Sequence, residues 1–316
     1  MSEKMTAGSS PRFVNPGNFM RMERYEDAEG LDFAIYGIPF DTAASYRTGA
    51  RFGPQAIRNI SVMLKSINPV HQVDIFEHLK GGDLGDVNIV PGYIHPTYDA
   101  IEEFTAGIIK AGAVPIALGG DHSITLPELR AAAEEHGPVS LLQFDAHADL
   151  NDEVFGEKYS HGTPFRRAME EGLIDPTTSV QIGMRGSIYE ADEFEMARNF
   201  GFTLIPGHDV HERGLADVLA EAKEVLGGSK VFLTFDIDFV DPAYAPGTGT
   251  PEVGGFNSQE AVEIIRNLKG LNFVGMDIVE VSPMYDAAEI TSLLAANIVF
   301  EFLSILAAEK KEKEEN

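Results

Sequence analysis

"VSLLQFDAHAD", residues 139–149, decides the reading of the chain. Its first half, Leu141, Leu142, Gln143 and Phe144, is an apolar run without polar alternation. Such a run marks a strand covered on both faces, as in a parallel sheet. Its second half puts Asp145, His147 and Asp149 at alternate positions just past the strand. In parallel sheets, ligands sit beyond the carboxyl ends of the strands.

The same design repeats along the chain. "LDFAIYGIPF" (31–40), "AVPIALGGD" (113–121), "TSVQIGMRG" (178–186), "FTLIPG" (202–207), "KVFLTFDID" (230–238) and "LNFVGMDIVEV" (271–281) read as strands. Between them lie helical segments: 53–64 with Pro54 in its first turn, 97–112 closed by Gly112, 126–137, 164–174, 189–201, 215–228 and 257–270. This alternation predicts a three-layer α/β/α domain on a mainly parallel sheet. Residues 1–30 are polar with Pro and Gly and read as an N-terminal arm. Residues 31–308 read as a single domain, and 309–316 as a charged tail at a frayed helix end.

Composition narrows the classes. At 316 residues, 44% apolar and 23% charged, the chain is an ordinary soluble globular protein. It has no cysteine, which excludes disulfides and thiolate metal sites and fits an intracellular, cytoplasmic setting. The N-terminus lacks the apolar core of a signal peptide. "ITSLLAANIVFEFLSILAA" (290–308) is interrupted by Asn297 and Glu301, and reads as a buried terminal helix, not a membrane span. The formal net charge of −26 argues against a nucleic-acid partner and suits a cationic substrate or simple solubility.

Four strand ends carry the chemistry: Asp121 and His122; Asp145, His147 and Asp149; Asp236, Asp238 and Asp241; Asp277 and Glu280. Taken singly, a strand-end Asp is an ordinary helix cap. Together at one sheet edge, the carboxylates would repel unless cations join them. Two imidazoles and four Asp carboxylates are enough for two divalent ions. Carboxylate and imidazole without thiolate suit Mn²⁺, with Ni, Co, Fe or Zn as alternatives. A pair of such ions can activate water, which points to hydrolysis.

"GGDHS", "FDAHAD", "HGTPF", "FDIDFVDPAYAPGTGTPEVGG" and "GMDIVEVSP" together resemble the ureohydrolase family of arginases, agmatinases and guanidino-acid hydrolases, over about residues 31 to 306. The resemblance implies an arginase-like fold holding two Mn²⁺ per subunit. It implies that His122, Asp145, Asp149 and Asp236 bind one ion and Asp145, His147, Asp236 and Asp238 the other. By the same resemblance, His161 is a proton relay and Glu280 the carboxylate that grips a guanidinium. Asp149 would also hand a proton to the leaving amine, while Asp121, Asp241 and Asp277 read as supporting groups. A homo-oligomer, hexamer or trimer, is likewise implied.

The implied activity is hydrolysis of a small linear guanidino compound to urea and an amine. "APGTGTPEVGG" favours agmatine. The loop 151–168 also resembles guanidinobutyrase-type sequences, so a guanidino acid such as 4-guanidinobutyrate or 3-guanidinopropionate is the alternative. Asn151, two residues after Asp149, reads either as a carboxylate reader or as a turn residue. Arg47 reads as a cation for a substrate carboxylate or as a partner within its own loop, and Tyr159 as a pocket residue. A non-catalytic metal-binding scaffold is the reading from another class.

Overall fold

A computed structural model describes residues 11–14, 17–188 and 190–315. The first ten residues of the expected arm and Asn316 of the tail lie outside the described residues, as does Tyr189. The strands are β1 (Phe33–Gly37), β2 (Ile67–Asn68), β3 (Val73–Asp74), β4 (Gly81–Asp86), β5 (Val114–Leu118), β6 (Ser140–Phe144), β7 (Val180–Ile182), β8 (Thr203–Ile205), β9 (Lys230–Asp236) and β10 (Asn272–Val279). Eight of them form one sheet in the order β4-β1-β5-β10-β9-β6-β7-β8. Every pairing within it is parallel. The remaining two, β2 and β3, make a small antiparallel pair.

Apolar side chains alternate between two cores, one on each face of the sheet. Val231, Leu233 and Phe235 of β9 join the core shared with helices Gly53–Ser61, Leu215–Leu226, Ser258–Asn267 and Ile290–Glu315. Phe232 joins the opposite core with helices Ile94–Lys110, Thr125–His136 and Pro164–Glu170. That double burial explains why the strands carry no polar alternation. The C-terminal helix is long and apolar enough to cross a membrane, yet 78% of its most apolar stretch is buried inside the protein.

The structure adds to the pattern expected of the sequence, with the β2–β3 pair and helix Ile75–His78 among the additions. β4, "GGDLGD", was not foreseen, because glycine and aspartate give it no apolar run. Helix Gly207–Arg213 was missed for a similar reason, since "GHDVHER" has no apolar stripe. The described part of the arm is also less irregular than its composition implies. Phe19 is fully buried, and Arg24 bridges to Asp83 on edge strand β4.

Sheet order positions the site. Chain direction along the sheet reverses twice, and β9 and β10 fill the gap between β5 and β6. The four strands β5, β10, β9 and β6 are therefore neighbours at the centre of the sheet. Their carboxyl ends are the four that carry the polar clusters.

Candidate metal centre

Past β5 the chain must squeeze between the ends of β1 and β10. Gly120 N donates to Ile38 O at 3.0 Å, Asp121 N to Phe40 O at 2.8 Å, and Glu280 N to Gly120 O at 2.8 Å. A Cβ on Gly120 would lie 2.0 Å from Phe40 O, so only glycine fits this crossing. Asp121 then caps the short turn His122–Ile124 by accepting from Ser123 N at 3.1 Å, and from Ala43 N at 2.9 Å. This fixes His122 at the floor of the site.

His122 Nδ1 is the centre of the first cluster. It lies 2.9 Å from Asp149 Oδ2, 3.0 Å from Asp145 Oδ2 and 3.3 Å from Asp236 Oδ2. His147 Nδ1 is the centre of the second, 3.1 Å from Asp238 Oδ2 and 3.6 Å from Asp145 Oδ1. Two compact ligand-competent groups result: His122, Asp145 and Asp149; and Asp145, His147 and Asp238. Asp145 belongs to both. Asp236 stands at the margin of the first, with its Oδ1 accepting Asp238 N at 2.8 Å.

Electrostatics strain this arrangement in the absence of cations. His122, Asp145 and Asp238 are fully buried, Asp236 nearly so. Burial, then the charges of Asp238 and Asp145, push the Asp236 carboxyl well above its ordinary range. Burial and the neighbouring Asp145 charge raise Asp149 to about 6. Asp145 itself is opposed by burial but held low by the two histidines. Four carboxylates around two imidazoles thus cannot all ionise comfortably. Further, none of these close carboxylates makes an aligned hydrogen bond with buried His122 Nδ1 among the described residues. Donor type, spacing and the unsatisfied nitrogen fit two divalent cations.

Groups one step out hold the candidate ligands, and nothing in their spacing along the chain marks them. Gln143 Nε2 donates to Asp145 Oδ2 at 2.7 Å, and Gln181 Nε2 to Gln143 Oε1 at 2.6 Å. Ala146 N donates to Asp238 Oδ1 at 3.1 Å. Asp149 (φ 52°) and Glu280 (φ 61°) occupy the left-handed region although neither is glycine. Such conformations cost energy and cluster at functional sites.

Glu280 and His161 form the upper wall. Glu280 is 2% exposed, and its Oε1 accepts His122 N at 2.8 Å and faces His161 Nδ1 at 3.1 Å. Ser45 N donates to His161 Nε2 at 3.0 Å, so in the neutral ring Nδ1 carries the hydrogen and donates to Glu280. Burial opposes charge on His161, but the bond to Glu280 and its charge outweigh that and raise the imidazole to about 9. The loop carrying Gly249 passes between Arg47 O and Glu280 Oε2; a Cβ there would lie 3.1 Å from the first and 3.5 Å from the second.

The outer candidates are placed less directly. Asn151 Nδ2 donates to Gly162 O at 3.1 Å, tying the two ends of the 151–162 loop. The Tyr159 ring packs edge-on against His95 and Tyr98 of helix Ile94–Lys110, at 5.0 and 6.0 Å between centroids. Arg47 stacks over the Tyr285 ring at 4.8 Å. Asp241 accepts Gly254 N, Gly255 N and Ala243 N and closes a loop.

Comparison with known proteins identifies the family of this fold. Residues 31–304 match the profile described as the Arginase family. The chain is 46% identical to a mitochondrial agmatinase of Gallus gallus over 299 residues, 95% of this chain and 88% of the relative. It is equally 46% identical to a mitochondrial guanidino acid hydrolase of Homo sapiens, covering 94% of this chain and 86% of the relative. Among solved structures, proclavaminate amidino hydrolase from Streptomyces clavuligerus superposes with a TM-score of 0.91 at 40% identity, covering 95% and 99% of the two chains. The chain belongs to the arginase family.

Proposed function

We propose that this protein hydrolyses agmatine to putrescine and urea at a binuclear manganese centre. The broader activity, hydrolysis of a C–N bond in a linear guanidino compound, is the one its relatives carry in their names. The observation that supports the site most is His122 Nδ1: buried, without an aligned hydrogen bond among the described residues, and within 3.3 Å of three carboxylates. His122, Asp145, Asp149 and Asp236 would hold one Mn²⁺; Asp145, His147, Asp236 and Asp238 would hold the other. The chemistry such a pair supplies when bound is activation of water near neutral pH for attack on an electrophilic carbon.

The chain's own residues do the rest. Glu280 Oε2 has no hydrogen bond among the described residues, and pairs with the guanidinium N–H groups to orient the planar cation. The His122 amide keeps Glu280 Oε1 in place from below. Asp149 is suited to take a proton from the attacking water and pass it to the departing amine nitrogen. His161, 13% exposed at the side chain and bonded to Ser45, carries protons between this wall and solvent.

A guanidino acid is the second reading. Arg47 favours it, because its guanidinium stacks on Tyr285 and has no carboxylate partner among the described residues. Asn151 and Tyr159 would then shape the far end of the pocket through the 151–162 loop. We place the enzyme in the cytoplasm as a homo-oligomer, with residues 31–308 as one catalytic domain. Urea release by the Mn²⁺-loaded protein from agmatine, 4-guanidinobutyrate, 3-guanidinopropionate, arginine and guanidine tests the substrate. Agmatine should be cleaved fastest. Cleavage of a guanidino acid with none of agmatine would select the second reading, and no urea from any of them would leave a non-catalytic scaffold.

A further inference from the structure

Behind His122, on the side turned away from the carboxylates, lies a second set of buried polar groups. His122 Nε2 is 2.8 Å from Thr234 Oγ1. Thr234 sits opposite Asp277 on the neighbouring strand, with their side chains in reach of each other, and Thr125 Oγ1 donates to Asp277 Oδ2 at 2.7 Å. The Asp277 and Glu128 carboxyls lie within reach of each other, and Glu128 Oε1 accepts the Tyr36 hydroxyl at 2.6 Å. All five of these residues beyond His122 are fully buried.

The two carboxyls face hydroxyls and each other, not cations. Two ionised carboxylates in buried contact repel strongly. Moreover, one oxygen of each, Glu128 Oε2 and Asp277 Oδ1, has no hydrogen-bond donor among the described residues. An unsatisfied buried acceptor costs about 1–3 kcal/mol. A single proton shared by the pair removes the repulsion and supplies the missing donor. We infer that Glu128 and Asp277 form a carboxylic acid–carboxylate pair, with the proton on Glu128, that positions the His122 ring through Thr234.

Donor count assigns the proton. Asp277 has two hydroxyls beside it, Thr125, which donates to it, and Thr234, its partner across the strands, whereas Glu128 has only that of Tyr36. More donors stabilise the charged form, so Asp277 is the carboxylate. Thr234, with its hydrogen committed to Asp277, can only accept from His122. His122 Nε2 therefore carries the ring hydrogen, and Nδ1 keeps its lone pair toward Asp145, Asp149 and Asp236. Anchoring the far nitrogen of a ligand histidine in this way fixes its tautomer and orientation. Glu128 and Asp277 are positioning residues and touch neither substrate nor metal.

Glu128→Gln and Asp277→Asn separate this pair from a merely structural one. Glu128→Gln reproduces a protonated carboxyl, with an N–H for Asp277 and an oxygen for Tyr36. It should leave Mn²⁺ affinity within about 3-fold of wild type, while Asp277→Asn weakens it by about 10- to 100-fold. Should Asp277→Asn fail to fold, Thr234→Val takes its place, with Thr234→Ser expected to restore affinity. Infrared spectra of the metal-free protein at pH 7 give a readout independent of metal. The protonated-carboxyl C=O absorption of wild type should lose a band in Glu128→Gln, while the bands of the metal-site carboxyls remain.

No band lost in Glu128→Gln, or a weakening in Glu128→Gln as large as in Asp277→Asn, overturns the inference. The affinity arm rests on the metal-site reading, and the infrared arm does not. Wild-type protein that binds no Mn²⁺ would overturn both that reading and the positioning role, whatever the infrared band shows.

Discussion

At the scale of single residues, Glu280 concentrates most of the chemistry. It is strained at φ 61°, nearly buried, and has one oxygen held by the His122 amide and His161. Glu280→Gln keeps the shape and removes the charge that pairs with a guanidinium. Steady-state kinetics should show KM raised and kcat/KM reduced by about 100-fold or more, with both metals still bound. The same contact sets the titration of His161, which is raised to about 9 by Glu280 against the pull of burial. A pKa above the unfolded value means that His161 adds stability below about pH 6.5 and that this is lost as pH rises through about 9. An NMR titration of the metal-depleted protein should follow that value, and Glu280→Gln should bring it back down. An unmoved imidazole would separate the two residues. The residues of the candidate metal centre stand out in the sequence because acids and histidines at alternate positions after an apolar run have few other uses. Thr234, Gln143 and Glu128 were not, because a threonine in a strand or a glutamate in a helix looks ordinary until its neighbours across the sheet are known.

At the scale of elements, the site depends on how tightly strand ends cross. Gly120 carries the chain from β5 over the ends of β1 and β10, and a Cβ there would overlap backbone that cannot yield. Gly120→Ala should therefore destabilise the fold by at least about 1–3 kcal/mol, read as a drop in thermal midpoint, and should loosen Asp121 and His122 together. An unchanged midpoint with normal metal content would show that the crossing is softer than its geometry implies. Buried strands and amphipathic helices were visible in the sequence, since their periodicity reports burial directly. β4 was not, because its place is fixed from outside. Arg58 donates to both Asp83 oxygens, at 2.8 and 3.0 Å, and the arm pairs with Asp83 through Tyr25 N. Asn151 and Tyr159 show the same limit in a loop, where spacing names the residue but only packing against Gly162, His95 and Tyr98 says which way it turns.

At the scale of the whole molecule, an all-parallel sheet with two reversals gathers acids and histidines from four central strands at one edge. Topology, and no single motif, makes the cluster, and its accumulated negative charge calls for cations. The most direct test measures bound manganese and urea release on the same samples of wild type and Asp145→Asn, a residue common to both ligand groups. Wild type should hold two ions per chain and release urea from a linear guanidino compound. Asp145→Asn should lose metal and turnover together. Full metal content and normal turnover in Asp145→Asn would contradict the assignment of this cluster as the metal centre.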